Sequence, residues 1–485
     1  MTTTHTAGFT LRGEERRARK QRSELEKAAN SRTSTERRQG TDFPRSRMPG
    51  WGWSHTRNLR GPGAVAPPVH RTSSETLGGA FPFLAETGQP MTGAYIGDNL
   101  LSRGTFSFDM WDAYSAGIVR SHSVAIIGVK GTGKSVLGKS WSTRLIRCGR
   151  KVAVPHDPNG EWAPVADYVG GKTLRVGPGQ IARIDPLDPG LRPPALTEEE
   201  WAHDVLQFRR SKIRGLVAIL RNTTHLTEVE HTAIDLAVGL VQSRNTHVLI
   251  PAIWEELRNP DASYAAEIGD GGRNLAHTLR RLTVGDIGGM FDQPSTVTFD
   301  ASTPMLVVDT SPLGRATDET KSLLRLATTD WIDRGTPASL GQARVVVHEE
   351  AAAALLNEVA AGAGLAGRVT DEKVARHKGK SNWYLLHRIA DLDALGDEGS
   401  ALHSQALGLL ADCDTRVNYA QHTGELERSA RVLGWNTTQM NLVRKLGKGE
   451  GFWQIGPDRI AKVKNVCTPG ELRVFSTDRL GGIRV

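Results

Sequence analysis

The sequence predicts an α/β fold with a mostly parallel central sheet, and three segments carry that prediction. Residues 123–149, 151–162 and 343–355 each hold a short apolar run that ends in glycine or acidic residues. Two of the three then pass into a helical pattern, the alternation expected when helices cover a parallel sheet.

The first segment reads SVAIIGVKGTGKSVLGKSWSTRLIRCG. Ser123 to Ile127 suits a buried parallel strand, and Leu137, Trp141, Leu145 and Cys148 recur at helical spacing before a stop at Gly149. Between them lies G-x-x-x-x-G-K-S at Gly128, Gly133, Lys134 and Ser135. Glycines let backbone N–H groups turn inward around a phosphate without Cβ clashes, and the following helix N-terminus favours negative charge. The candidate nucleotide-binding residues are therefore Gly128, Lys130, Gly131, Thr132, Gly133, Lys134, Ser135 and Val136. Lys134 would neutralise the β- and γ-phosphates, and the Ser135 hydroxyl would coordinate magnesium.

The second segment, KVAVPHDPNGEW, is an apolar strand ending in a turn with Asp157, Gly160 and Glu161. Carboxyl ends of parallel strands face the ligand crevice, so both acids are candidate catalytic residues. The plainer alternative is a turn in which Asp157 and Asn159 cap backbone groups.

ARVVVHEEAAAAL, residues 343–355, is a β-branched strand ending in His348, Glu349 and Glu350 before an Ala-rich helix. In P-loop ATPases such a strand ends in an Asp on the magnesium side followed by a Glu that activates water. The preferred register puts His348 at the Asp position and makes Glu349 the base, which would either slow turnover or leave Asp157 to share the magnesium role. A slip of one residue would make Glu349 the magnesium-side acid and Glu350 the base. A zinc helix of the H-E-x-x-H kind is excluded, because Ala352 stands where the second histidine is needed.

Composition bounds the rest. The chain has 485 residues, 38% hydrophobic and 24% charged, with no apolar run long enough to cross a membrane, and a polar, arginine-rich start without a secretory signal. A cytoplasmic protein is expected. Cys148, Cys413 and Cys467 are far apart and lack a C-x-x-C pair, so buried thiols are expected rather than disulfides or zinc. The first 75 residues hold 15 Lys+Arg against 7 Asp+Glu, which is the whole net charge of +8, since the remainder balances at 46 and 46. Arg16, Arg17, Arg19, Lys20 and Arg22 cluster there, and a Gly/Pro/Ser-rich stretch follows. Residues 1–78 therefore read as a disordered basic arm, either a solvated tail or a patch attracted to DNA or an anionic membrane.

The ordered set of motifs resembles the HerA/FtsK superfamily of ring-forming translocase ATPases. Within it the chain is similar to conjugative or type IV secretion ATPases of the VirB-four (TraC-like) kind, in their compact actinobacterial form. The resemblance covers roughly residues 106–479. It is carried by FSFDMWDAYSAGIV, the phosphate loop, strand–D-P-x-G-E-aromatic, the glycine-rich GGKTLRVGPGQIARIDPLDPG read as a hairpin, GDIGGMFDQPS and PMLVVDTSPL. SNWYLLHRIADL resembles the strand in which relatives carry a Thr-Gln phosphate sensor; here His387 and Arg388 stand there. Arg388 is then a candidate finger reaching a neighbouring subunit, or else a surface partner of Asp391 or Asp393. DTRVNYAQHTGELE adds Arg416 and the candidate Gln421, and residues 451–477 resemble the family's closing β-hairpin.

What the resemblance implies is a RecA-like P-loop NTPase using ATP and Mg2+. It would act as a homo-oligomeric ring that energises conjugative transfer alongside membrane proteins of the secretion channel, peripheral to the membrane's inner face. The expected organisation is 79–194 and 285–485 as two parts of the ATPase domain, with an all-α insertion at 195–284 that braces a neighbour or covers a sheet face. Relatives elsewhere carry a large N-terminal domain, whose function would here be supplied by another polypeptide or be absent. A soluble DNA-pumping ATPase and a nucleotide-gated scaffold with weak hydrolysis remain the alternatives.

Overall fold

A computed structural model describes residues 92–223, 225–285, 287–314, 316–335, 342–351, 379–395 and 401–476, together with Lys20, Ser23 and Glu24. The chain divides into two compact units, Met1–Pro82 and Phe83–Val485. In the first, the three described residues are helical and exposed. The rest of the basic arm, residue 352 and the Ala-rich helix expected after Glu350 lie outside the described residues.

In the second unit, eleven described strands form one sheet. In chain order they are β1 (Ala94–Asn99), β2 (Thr105–Phe108), β3 (Val124–Ile127), β4 (Lys151–Asp157), β5 (Lys172–Arg175) and β6 (Met305–Asp309). They continue with β7 (Arg344–His348), β8 (Lys380–Leu386), β9 (Thr415–Asn418), β10 (Glu450–Ile455) and β11 (Arg459–Asn465). Their spatial order is β2-β1-β11-β10-β9-β3-β8-β7-β4-β6-β5. From β9 to β5 every pairing is parallel. Beyond β9, the strands β10, β11, β1 and β2 continue the sheet antiparallel. The central parallel strands β3, β6 and β7 are buried at every residue because helices cover both faces, whereas the edge strand β5 is largely polar and partly exposed.

One face packs on α1 (Met110–Ser115), α2 (Lys134–Arg147) and α3 (Ala163–Tyr168), with Leu137, Trp141 and Leu145 of α2 against Val124, Ile126, Val345, Val347 and Trp383. Trp141 is the keystone of that layer. It lies 4.2 Å from Trp383, 5.1 Å from Trp453 and 5.9 Å from Phe108 by ring centroids, and its indole N–H donates to the Phe108 carbonyl at 3.1 Å. The α2 axis is thereby fixed against both the parallel block and the antiparallel wing.

On the opposite face lie α4 (Glu198–Arg221), α5 (Glu228–Arg244), α6 (Ile250–Arg258), α7 (Ala265–Thr283) and α8 (Asp318–Gly335). Thr197–Glu200 and Thr227–Glu230 capping boxes start α4 and α5. Apolar residues of these helices form one core with Ala153, Leu306 and Val308 of the sheet. The four helices from α4 to α7 thus cover a sheet face. Farther along, α9 (Ala401–Asp412), α10 (Thr423–Leu433) and α11 (Thr437–Arg444) cover Ala125 and Ile127.

Three sequence expectations need correction. The glycine-rich segment 170–190 is not a hairpin: β5 is the edge strand, parallel to β6, and the return chain makes only a bridge between Val176 and Ala182. The closing hairpin is β10–β11 and ends at Asn465; residues Pro469–Phe475 form a further helix, α12, begun by a Thr468–Glu471 capping box. Of the cysteines only Cys413 is buried, because Cys148 falls on the exposed last turn of α2 and Cys467 is half-buried.

Truncating the keystone should open a cavity between three aromatic rings. Trp141→Ala is expected to cost about 3–5 kcal/mol, read as a lower midpoint of urea unfolding. A loss below about 1 kcal/mol would contradict the packing.

Candidate nucleotide site

The loop between β3 and α2 is shaped by positions that only glycine fills easily. Gly128 has φ +156° and Gly133 φ +114°, and a Cβ on Gly128 would come within 2.5 Å of the Tyr419 Cβ. Loop ends are tied to the sheet: Gly128 N–H donates to the Leu386 carbonyl at 3.2 Å, and Thr132 Oγ1 donates to the Val129 carbonyl at 2.8 Å. Lys134 is buried under the loop. Its ammonium donates to the Gly128 and Val129 carbonyls, the second at 3.1 Å, and lies 3.3 Å from His387 Nδ1. Burial lowers its pKa to about 8, with Glu349 opposing the shift.

Around this loop opens a cleft of about 280 Å³, at the carboxyl ends of the parallel strands. Lys130, Gly131, Gly133, Lys134, Ser135 and Val136 line one side. Asp157, Glu161, Trp162, Glu349 and Glu350 line another. Gly128 and Thr132 are not among the residues lining the cleft; their contacts shape the loop. The two acidic segments and the phosphate loop, far apart in sequence, thus meet in one cavity.

Strand alternation decides which residue of His348-Glu349-Glu350 faces α2. Val345 and Val347 pack with Leu137 and Trp141 of α2, whereas His348 is buried on the other face, stacked 5.2 Å from Tyr384 and 3.4 Å from Asn382 Oδ1. The next residue returns to the α2 side. Glu349 accordingly sits beside the loop, its Oε1 accepting the Trp162 indole N–H at 2.8 Å. His348 therefore does not stand where a magnesium-side Asp would; the expected first register fails on this geometry. Glu350 leaves the strand at φ +50° and is exposed on the cleft rim. Burial pushes the Glu349 carboxyl up to about 7, against the pull of the Trp162 N–H and Lys139.

Asp157 adopts the plainer of its two readings. Buried, its carboxylate accepts from the backbone N–H of Glu161 at 3.1 Å and of Trp162 at 2.8 Å, which shapes the turn and fixes the start of α3. Glu161 pairs at 3.2 Å with Lys139, whose side chain is 1% exposed. Arg388 and Gln421 do not line the cleft. Arg388 is exposed and pairs with Asp391 at 2.9 Å. Gln421 follows β9 with both amide atoms buried and without a partner among the described residues.

His387, noted in the sequence beside Arg388, does line the cleft, whereas Lys448, Leu472 and Ser476 escape sequence reasoning. His387 follows β8, the neighbour of β3, and its pKa is lowered by burial and by Lys134. Lys448 arrives from the turn before β10, where the Gly449 N–H donates to the Thr132 carbonyl at 2.8 Å. Leu472 and Ser476 reach the rim from α12 and the residue after it.

The site residues present fit a magnesium nucleotide. Ser135 and the two glutamates offer oxygen donors alone, the set a hard cation prefers. Among the described residues no group of three or more His, Cys, Asp or Glu could hold a metal by itself. No helix among them is long and apolar enough to cross a membrane.

No protein-family model matches the chain, and no curated protein matches it. Among solved structures, VirB4 of Thermoanaerobacter pseudethanolicus aligns with a TM-score of 0.63 at 20% identity, over 79% of this chain and 98% of that one. The plasmid coupling protein TrwB, solved with the non-hydrolysable GTP analogue GDPNP, aligns with a TM-score of 0.48 at 14% identity, over 71% of this chain and 85% of its own. The genome packaging NTPase B204 of Sulfolobus turreted icosahedral virus 2, in complex with AMPPCP, gives a TM-score of 0.29 at 10% identity, over 71% and 97%. A mixed, mostly parallel sheet with its helices in the same arrangement over nearly all of the VirB4 structure gives the conclusion that this chain has the VirB4 fold.

Proposed function

We propose that the chain is an ATP-hydrolysing motor that energises conjugative transfer or type IV secretion. The observation that carries this reading is the meeting of Lys134, Ser135, Glu349 and Glu350 in one cleft at the carboxyl ends of the parallel strands. The VirB4 fold supports the secretion context, as does the ordered set of motifs in the sequence. The roles follow from the geometry. Lys134 would exchange its carbonyl partners for phosphate oxygens, and the loop's N–H groups with the α2 N-terminus would hold the β-phosphate. Magnesium, when bound, would offset the negative charge of the phosphates. Ser135 and Glu349 are assigned to hold it, Glu349 directly or through water. Glu350, at the open rim, is assigned to orient and deprotonate the attacking water. Asp157 and Glu161 support the turn that faces them.

The working form would be a ring of copies at the secretion channel's membrane proteins, with Arg388 exposed for a neighbour and the basic arm available to DNA or anionic lipid. A specific rate that rises steeply with protein concentration would support shared sites; a rate independent of it would reject them.

Phosphate release and nucleotide binding by the purified chain test the site. Lys134→Ala is expected to abolish both. Glu350→Gln should cut turnover by about 10²–10⁴-fold while nucleotide binding persists. Equal rates for wild type and both variants would refute the assignment.

The free-enzyme pH profile offers a second check. Turnover needs Glu349 ionised and Lys134 protonated, so kcat/KM should rise through about pH 7 and fall above about pH 8. A profile flat from pH 6 to 9 would contradict these environments.

A further inference from the structure

The residues that touch the proposed magnesium-side acid form a buried support that the hydrolytic reading leaves without a role. Trp162 is 1% exposed, large and confined, yet its indole N–H is directed at Glu349 Oε1 at 2.8 Å. Its backbone N–H is held at 2.8 Å by the buried Asp157, so the ring's root is pinned to the end of β4. Its ring edge lies 3.7 Å from where a Cβ on Gly138 would stand, so α2 forms its floor. Above the ring, at 5.9 Å from its centroid, sits the ammonium of Lys139, which pairs with Glu161 at 3.2 Å. Lys139 is itself almost wholly buried, which is costly for a lysine unless its charge is paired. Two consecutive residues of one turn, Glu161 and Trp162, thus engage α2 and the end of β7 together.

A carboxylate that meets a cation works best when a second group fixes its orientation, because a free rotor must be ordered at each binding event. An indole is well suited: it donates one hydrogen bond, accepts none, and cannot compete for the metal. We infer that Trp162, braced by the Lys139–Glu161 pair, is a positioning residue that holds the Glu349 carboxylate toward magnesium-bound nucleotide. This rests on the nucleotide reading above and extends it from the acid to the residues that aim it.

Trp162→Phe removes the donor together with part of the ring, so the metal-free ADP affinity and the Glu349→Ala background serve to separate positioning from packing. Calorimetry would compare ADP affinity with Mg2+ against ADP in EDTA, alongside kcat and KM for ATP. The variant is expected to lose about 10–100-fold of the magnesium-dependent gain in affinity, with metal-free ADP affinity within about twofold of wild type and the loss in turnover falling on kcat more than KM. In a Glu349→Ala background the same change should have no further effect. A folded Trp162→Phe protein with the wild-type magnesium gain, or equal losses in both backgrounds, would overturn the inference.

A second measurement does not need that variant to fold. With 15N-labelled tryptophan, Glu349→Ala should shift one indole resonance, and Mg·ADP added to wild type should move the same one. Indole resonances unmoved by both would overturn the inference equally. Absence of any ADP binding to wild type would instead sink the nucleotide reading itself, a distinguishable failure.

Discussion

Along β7 side chains must alternate between the two faces of the sheet, and that two-residue period governs what chemistry the cleft can hold. Val345 and Val347 are committed to the core against α2, since both are fully buried there among Leu137, Trp141 and Trp383. His348 must then face the other way, where it stacks on Tyr384. Glu349 follows on the α2 side, beside Lys134 and Ser135, and the backbone turns at Glu350. Slipping the register by one residue would turn His348 into the apolar core against α2 and swing Glu349 to the far face, away from Lys134 and Ser135. The alternation of β7, with His348 seated against Tyr384, thus decides which acid faces the cleft.

The rest of the site hangs on the same sheet. Strand β8 lies between β3 and β7, so the loop after β3 and the acids after β7 are separated by one strand, and His387 closes that gap at the end of β8. β4 follows on the far side of β7 and delivers the Asp157–Trp162 turn. Because these strands run parallel, their functional ends collect on one edge. The antiparallel wing adds a second wall, the turn with Lys448, tied to the loop by the Gly449 N–H. Tryptophans 141, 383 and 453 make wing and parallel block one core.

What was legible in the sequence was local. The strand, glycine loop and helix at 123–149 follow from spacing and from glycine's access to positive φ, and β4, β6, β7 and β8 appear as apolar runs. Position 348 was misread because the family pattern was matched by residue type, and Glu-Glu in place of Asp-Glu allowed two alignments; only the burial of Val347 separates them. Segment 170–190 was misread because its glycines suggest a tight return, while β6, more than a hundred residues away, captures β5 instead. Lys448 and the Trp162 donor bond could not be read locally, since each depends on strand order, as does the choice of His387 over Arg388 as the residue that enters the cleft.

The most direct measurement is a structure of the chain with Mg2+ and a non-hydrolysable ATP analogue. The expected result has the phosphates wrapped by residues 128–135 with Lys134 turned onto them, the metal between Ser135 and Glu349, and His348 still on the far face against Tyr384. A nucleotide bound elsewhere, or a metal approached by His348 with Glu349 turned away, would contradict the account.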